Sequence, residues 1–255
     1  MDKKDTSWGK VAGWYDELLE GKDGTYQQEV ILPNLKRLIN PQKGEKILDI
    51  ACGQGYFSRF LNEAGAQVTG ADIAKELIGI ARIHSPKSIS FEVAPADALT
   101  FAQDNSFDKA LITLALQNIE NLQGAVKEAH RALKSGGTFY IVLNHPAFRV
   151  PKASSWEWDE KNKKQYRRID SYMSDMRHQI EMNPGAQKEN EKKFTVSFHR
   201  PLQVYFKVLT KAGFAVTRLE EWVSNKESNP GPRASEENRI RKEIPMFLMI
   251  EGKKL

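Results

Sequence analysis

The order of hydrophobic and polar residues predicts that strands and helices alternate through the middle of the chain. Short apolar runs, typical of buried strands, are separated by longer segments whose apolar residues recur at helical spacing. The predicted strands are 47–51, 67–72, 88–93, 107–114 and 138–143, and the clearest helices between them are 74–83 and 122–133. This alternation is typical of a parallel sheet with crossover helices. We therefore predict an α/β fold built on a Rossmann-like doubly wound sheet that is mostly parallel.

The two ends of the chain extend this pattern. Residues 1–44 carry apolar residues at helical spacing and predict an N-terminal helical lead, broken at 21–24 and kinked or bounded at Pro33. After residue 193 the pattern predicts, in order, a strand over 194–198, a helix over 199–213, a strand over 215–223, a polar surface loop over 224–237 and an antiparallel last strand over 245–251.

The segment between these parts, residues 147–198, interrupts the alternation of strand and helix. It is rich in Lys, Arg, Glu, Asn and Gln, with Trp156, Trp158, Tyr166 and Tyr172 among them. Short strands are predicted near Tyr166 and over 179–182. Because several aromatic side chains favour burial, we interpret the segment as a cap insertion over the carboxyl edge of the sheet. A disordered linker is the alternative.

Composition narrows the class of protein only slightly. The 255 residues suit one sizeable domain, and the single cysteine, Cys52, excludes an intramolecular disulfide and a zinc cluster built from cysteines. No apolar run approaches the roughly 20 residues of a membrane span, and the N-terminus lacks the apolar stretch of a signal peptide. We therefore expect a cytoplasmic protein without a membrane span.

The net charge of +5 is unevenly distributed. Residues 1–150 hold 17 basic and 18 acidic side chains, whereas residues 151–255 hold 21 and 15. The basic excess of the second part suits an anionic substrate or a nucleic acid. Basic and acidic residues alternate there, however, which equally indicates a solvated surface.

The stretch Asp49-Ile-Ala-Cys-Gly-Gln-Gly55 links the first predicted strand to a helix that begins near Phe57. A strand followed by a glycine-rich turn and a helix presents free backbone N–H groups and the positive helix end beside the strand's carboxyl edge. Glycine lets the backbone approach a ligand closely. The arrangement predicts a site for a nucleoside-like ligand, with the Asp49 carboxylate beside it.

This stretch resembles the first motif, (D/E)-x-G-x-G-x-G, of the class I S-adenosylmethionine-dependent methyltransferases, with Ala51 at the first glycine. Asp72 ends the second strand, 19 residues after Gly53, and is expected to bind the two ribose hydroxyls; capping the following helix is the alternative. The resemblance further implies that Asp97 binds the adenine amino group, with a turn residue as the alternative. Leu133-Lys-Ser-Gly-Gly137 before the fifth strand completes the resemblance, which covers about residues 45–145.

Nicotinamide binding is the competing interpretation of a strand, glycine turn and helix. Its fingerprint G-x-G-x-x-G requires a third glycine where this chain has Ser58. The order of four methyltransferase-like features therefore favours S-adenosylmethionine, with S-adenosylhomocysteine as product and no metal. The donor-binding residues implied are Tyr26, Asp49, Ala51, Gly53, Gln54, Gly55, Asp72, Ile73, Asp97, Ala98 (through its N–H) and Leu114.

Two further segments resemble the type 11 group, the ubiquinone/menaquinone-biosynthesis-like small-molecule methyltransferases. They are Phe198-His-Arg-Pro-Leu-Gln-Val-Tyr-Phe206 with Ala212-Gly-Phe214, and the lead residues Trp14-Tyr15-Asp16 and Gly24-Thr-Tyr26. The resemblance implies a single domain, in which 1–44 is the lead, 45–146 the cofactor-binding core, 147–198 the cap insertion and 199–255 the completion of the sheet.

The expected function is methyl transfer to a small-molecule acceptor, at oxygen. His145 and His199 are candidate general bases, or else structural histidines. Cys52 is interpreted as a packing residue. Residues 114–118 lack the (N/D/S)-P-P-(Y/F) motif of amino-methylating nucleic-acid enzymes, so nucleic acid is not the expected partner. RNA or protein methylation, and donor binding without catalysis, remain alternatives. Neither the acceptor nor the oligomeric state follows from the sequence.

Overall fold

The structure is a computed structural model that describes residues 8–20, 24–182 and 192–255. Its helices are α1 (Ala12–Glu20), α2 (Leu32–Ile39), α3 (Tyr56–Glu63), α4 (Lys75–His84), α5 (Leu122–Ala132), α6 (Leu202–Lys211) and α7 (Ala234–Glu243). Its strands are β1 (Lys46–Ile50), β2 (Gln67–Asp72), β3 (Ser90–Val93), β4 (Phe107–Thr113), β5 (Leu133–Asn144), β6 (Ser154–Asp159), β7 (Lys164–Ile169), β8 (Met176–Glu181), β9 (Phe194–His199), β10 (Phe214–Trp222) and β11 (Phe247–Lys254).

Seven strands form the central sheet in the order β10-β11-β5-β4-β1-β2-β3. Strands β1 to β5 pair in parallel, whereas β11 pairs antiparallel with both β5 and β10. The prediction of a mostly parallel doubly wound sheet with an antiparallel last strand is thus confirmed. The order reverses between β1 and β4, and in open α/β sheets ligands bind at such a switch point.

Apolar side chains cover both faces of this sheet, as the alternation of side chains along a strand requires. On β5, Phe139 and Ile141 pack into a cluster with α5 and α6, whereas Tyr140 and Val142 pack into one with α2, α3 and α4. Helices therefore cover the two sides. Among the described residues, no helix has both the length and the apolar character needed to cross a membrane.

Residues between β5 and α6 form two antiparallel hairpins outside the central sheet. Strand β6 pairs with β7, and β8 pairs with β9. Both strands predicted in this region exist, although residues 183–191 between β8 and β9 lie outside the described part of the chain. The predicted helix break at 21–24 also falls mostly outside it, because residues 21–23 are not described.

Two local features refine the predicted elements. The kink expected at Pro33 is a π-helical turn, Gln27–Ile31, which runs directly into α2 and accommodates the proline's missing N–H. The predicted loop over 224–237 was wrong at its end, because α7 begins at Ala234. Helix α7 buries only Ile240, so its apolar periodicity is too weak to reveal it.

Candidate functional site

The turn after β1 has left-handed backbone at three alternate residues. The φ angles are 55° at Ala51, 58° at Gly53 and 83° at Gly55. A Cβ on Gly55 would lie 2.9 Å from the Phe91 ring, so this position accepts no side chain without movement. Ala51 occupies the same backbone region at the cost of about 1 kcal/mol or more. The strained turn brings backbone N–H groups to the strand end.

Two carboxylates flank this turn. Asp72 Oδ2 accepts a hydrogen bond from the Gly53 N–H at 3.0 Å, and its Oδ1 accepts from the Ala74 N–H at 2.8 Å. Asp49 Oδ2 accepts from the Ser58 hydroxyl at 2.6 Å. Each carboxylate oxygen has a second lone pair, so Asp72 can hold the turn and still accept from a ligand.

Burial dominates the titration of both acids. It raises the pKa of Asp49 to about 7, opposed by the Ser58 hydrogen bond and assisted by the negative charge of Asp72. Burial also raises the pKa of Asp72, against the backbone N–H groups of Ala74, Gly53 and Ile73. A ligand that brings a positive charge or several hydroxyl donors here stabilises the ionised forms.

The end of β4 supplies the opposite wall. Leu114 has a φ of 54°, uncommon for a residue with a large side chain. Its N–H donates to the Val142 carbonyl at 2.8 Å, and its own carbonyl accepts from Gln117 Nε2 at 2.6 Å. These bonds hold the strained conformation, which sets the Leu114 side chain against the glycine turn.

A cavity of about 120 Å³, here the strand-end cavity, lies between these walls. Ile73 contributes an apolar surface that is 38% exposed. Thr113 contributes a buried hydroxyl oxygen that has no hydrogen-bond partner among the described residues. The full lining is Trp8, Leu19, Asp49, Ala51, Cys52, Gly53, Gln54, Tyr56, Phe57, Asp72, Ile73, Leu77, Thr113, Leu114, Ala115, Asn118 and Ile119.

Seven of the predicted donor-binding residues line this cavity: Asp49, Ala51, Gly53, Gln54, Asp72, Ile73 and Leu114. Gly55 lies behind the turn, against Phe91. Cys52 is buried among the lining residues, and burial raises the pKa of its thiol, in keeping with a packing role.

Asp97 and Ala98 do not line the strand-end cavity. Asp97 Oδ2 accepts from Asn121 Nδ2 at 2.8 Å, and the Asn121 side-chain oxygen caps α5. The expectation for Ala98 needs correction, because its N–H donates to the Pro95 carbonyl at 3.0 Å and closes a turn. That N–H is therefore not free for a ligand.

A second cavity of about 320 Å³, here the chamber, adjoins the first and shares Trp8, Leu114 and Asn118 with it. Tyr26 lines the chamber instead of the strand-end cavity, and its hydroxyl bonds Ser224 Oγ at 3.0 Å. The chamber is lined by Trp8, Tyr26, Gln27, Leu114, Gln117, Asn118, Asn144, Arg149, Ile180, Met182, Thr195, Ser197, Met246 and Phe247.

His145 lines neither cavity, which favours the structural alternative over a base at this position. The Ala147 N–H donates to Nδ1 at 3.2 Å, so the proton sits on Nε2, which pairs with Glu221 Oε1 at 2.7 Å. Both ring nitrogens are therefore engaged. Burial lowers the pKa of His145 despite the Glu221 carboxylate, and the residue ties β5 to β10.

His199 remains a candidate base. Its Nε2 donates to the Tyr172 carbonyl at 2.8 Å, which leaves Nδ1 unprotonated in the neutral ring. The residue lines a small cavity of about 40 Å³ that shares Gln117, Asn144, Arg149 and Ser197 with the chamber.

Sequence reasoning missed several lining residues, among them Trp8, Thr113, Asn118 and Arg149. Thr113 and Asn118 flank the end of β4, where the switch-point rule gives a usable signal. Trp8 and Arg149 come from distant segments, and no local pattern marks them.

Comparisons with known proteins agree with this geometry. Residues 48–141 match the family described as Methyltransferase domain (Methyltransf_11). A 105-residue segment is 36% identical to the ubiquinone biosynthesis O-methyltransferase of Idiomarina loihiensis, covering 40% of this chain and 43% of that protein. A 137-residue segment is 34% identical to the demethylmenaquinone methyltransferase of Chlorobaculum parvum, covering 52% and 56%. The chain thus spans about half the length of these curated relatives.

A solved structure extends the likeness over most of the chain. The S-adenosylmethionine dependent methyltransferase from Mesorhizobium loti superposes with a TM-score of 0.69 at 27% identity, covering 87% of this chain and 96% of that one. The family match, the sheet order and the cavity at the switch point agree. Residues 48–141 thus match a type 11 methyltransferase domain, and the chain has the fold of a solved S-adenosylmethionine dependent methyltransferase.

Proposed function

We propose that this protein transfers a methyl group from S-adenosylmethionine to a small-molecule acceptor, at oxygen. The observation that carries the proposal is that two cavities share a wall. The strand-end cavity, walled by Asp49, Asp72 and the glycine turn, has Trp8, Leu114 and Asn118 in common with the chamber. A donor in the first and an acceptor in the second would meet at the residues they share.

The residues of the strand-end cavity fit S-adenosylmethionine. Asp72 has lone pairs for two vicinal ribose hydroxyls, and Asp49 offers negative charge near the amino acid end. Ile73 presents an exposed apolar face for a purine ring, and the unpartnered Thr113 hydroxyl can hydrogen-bond a polar group of the donor. When bound, the donor would supply a methyl group on a sulfonium sulfur, and the sulfur would leave as a neutral thioether.

The chain's own contribution is to hold, orient and shield the reactants. Leu114 and Trp8 contribute apolar surface to both cavities. His199 lines a small cavity that shares four residues with the chamber, and its Nδ1 is unprotonated, so we propose it as the acceptor of a hydroxyl proton. No histidine or carboxylate lines the chamber itself among the described residues.

Two observations favour a small acceptor at oxygen over RNA. The Idiomarina relative is named an O-methyltransferase. Two aromatic residues of the cap are already engaged, since Arg167 stacks on Trp156 at 4.8 Å and Arg233 on Trp158 at 4.5 Å. They do not form a free stacking platform for bases. We propose that residues 147–198 act as the cap of a single domain and contribute Ile180 and Ser197 to the chamber.

Calorimetric titration with S-adenosylmethionine and S-adenosylhomocysteine tests the donor site. We expect Asp72→Ala to weaken binding by about 10- to 100-fold, since it removes a charged hydrogen-bond acceptor. Asp170→Ala, which removes an exposed carboxylate on the cap, is the matched control. Equal affinities for all three proteins contradict the assignment.

Methyl transfer itself is tested with radiolabelled donor and a panel of hydroxylated small molecules. We expect His199→Asn to lower turnover more than donor affinity and to alter the pH profile of the rate. Tight donor binding with no transfer to any hydroxylated acceptor would favour the non-catalytic alternative. Transfer to RNA with strong salt dependence would favour the nucleic-acid alternative.

A further inference from the structure

The chamber contains a single charged side chain among its described lining residues, that of Arg149. The other lining groups are amides, hydroxyls and apolar side chains. Arg149 follows β5 by a short turn, in which its N–H donates to the His145 carbonyl at 2.9 Å. The charge is therefore fixed to the carboxyl end of a central strand, on the side of the sheet where the two cavities meet.

Within the described part of the chain, no carboxylate neutralises the Arg149 guanidinium by an ion pair or a hydrogen bond. Desolvation lowers the pKa of Arg149, and the attractive influence on its charge comes from Tyr26. The guanidinium stays protonated at neutral pH, because arginine keeps its proton in proteins. By accessible area Arg149 is exposed, and with no described carboxylate paired to it, its charge is available to an anionic ligand.

A third cavity of about 270 Å³, here the arginine cavity, shares Arg149 with the chamber. Its side chains add positive charge near Arg149. It contains Arg167 and Arg241 against one carboxylate, Glu237. Arg167 is held by bonds from Nε to the Phe148 carbonyl at 2.9 Å and from Nη2 to Ser154 Oγ at 2.6 Å. Burial, and then the charge of Arg149, lower the pKa of Arg167.

A second unpartnered polar group faces the same chamber. Gln117 Nε2 is committed to the Leu114 carbonyl, whereas Gln117 Oε1 is buried without a hydrogen-bond partner among the described residues. Such a buried oxygen favours a ligand that donates a hydrogen bond. The chamber thus offers one positive charge and one acceptor oxygen, surrounded by the apolar side chains of Phe247, Met246 and Ile180.

We infer that the methyl acceptor is an acidic small molecule, a hydroxylated carboxylic acid whose carboxylate pairs with Arg149. Its hydroxyl lies toward Leu114 and Asn118, where the chamber meets the strand-end cavity, and a donor group of the same molecule meets Gln117 Oε1. A planar guanidinium suits this role because it binds a carboxylate through two parallel hydrogen bonds. The inference rests on the proposed function and names the substrate class for it.

The test uses a panel of aromatic and aliphatic hydroxy acids, each paired with its own methyl ester. Binding is measured by calorimetry in saturating S-adenosylhomocysteine, and transfer is measured with labelled S-adenosylmethionine. We expect the wild-type protein to prefer at least one acid over its ester by about 10- to 100-fold. Arg149→Met abolishes that preference and leaves donor affinity unchanged, whereas Arg149→Lys retains part of it.

Arg168→Met is the matched control. Arg168 follows Arg167 on β7, is exposed and pairs with Asp170 outside the cavities. The substitution Arg168→Met removes one positive charge from the cap without changing the lining of the chamber, so we expect an unchanged acid preference.

The outcomes separate the two proposals. Failure of S-adenosylhomocysteine to bind the wild-type protein overturns the proposed function. Donor binding without preference for any acid over its ester overturns the acidic-acceptor inference alone. The inference also fails if Arg149→Met weakens the binding of acid and ester equally, because Arg149 then shapes the chamber without interacting with the ligand's charge.

Discussion

The buried carboxyl of Asp49 makes a prediction about stability that can be checked without any ligand. Asp49 lies one residue before the end of β1 at Ile50, has 2% of its surface exposed and accepts a hydrogen bond from the Ser58 hydroxyl. Burial raises its pKa from 3.8 to about 7. The perturbation is Asp49→Asn, which keeps the size and an acceptor oxygen for Ser58 but cannot ionise.

The sign and size of the effect follow from proton linkage. A pKa raised on folding means that the native state binds this proton more tightly than the unfolded state. The stabilisation by protonation is therefore complete below pH 4 and is lost as the pH rises toward 7. At about 1.4 kcal/mol per pKa unit, the shift lowers the free energy of unfolding by at most about 4 kcal/mol over that range.

Urea unfolding of wild type and Asp49→Asn, at intervals between pH 4.5 and 8, measures this term. Other groups titrate in both proteins, so the difference between the two curves isolates Asp49. We expect similar stability near pH 4.5 and a more stable variant at pH 8. A difference that stays constant with pH would refute the reasoning, because the carboxyl would then titrate normally in the folded protein.

Three further substitutions test the packing and polar contacts around the site. Gly70→Ala should destabilise the protein by about 1–3 kcal/mol, because the new Cβ would lie 2.8 Å from the Phe91 ring; Gly79→Ala, with no atom within 4 Å, should be neutral or stabilising in thermal unfolding. His145→Gln should lower the free energy of unfolding by about 1–3 kcal/mol through loss of the Glu221 pair, with little change in the pH profile of methyl transfer. Unchanged stability together with lost turnover would return His145 to the catalytic candidates.

The donor half of the site could be predicted because its determinants are local or follow from register. Residues 49–55 are contiguous, and parallel pairing sets Ile50 beside Ala71, so that Asp72 arrives next to the turn after β1. The hydrophobic pattern already implied a parallel sheet. What it did not reveal is the left-handed backbone at Ala51 and Leu114. Residue type predicts such conformations for glycine or asparagine, whereas hydrogen bonds from other elements impose them here.

The site roles that this geometry disfavours share a different cause. The N–H of Ala98 is occupied by a turn bond to Pro95, and the imidazole of His145 by Glu221, which lies 76 residues further along the chain. In both cases the availability of a polar group depends on which hydrogen-bond partner the fold places beside it. Helix α7 escaped prediction for a related reason, since it contacts the rest of the protein through few apolar residues and shows no clear periodicity.

The acceptor side depends both on backbone conformations that other elements impose and on contacts between distant segments. This explains why a family resemblance constrains it so little. The chamber wall is assembled from the lead before β1, the residues after β4 and β5, the second cap hairpin and the start of β11. Only the segment after β4 belongs to the motif that also forms the strand-end cavity. Exchange of a single residue on any other segment, such as Arg149, changes the charge of the chamber without disturbing the donor site. The fold thus places most of the donor-binding residues at the ends of β1, β2 and β4 and leaves acceptor choice to side chains from segments that meet only after folding.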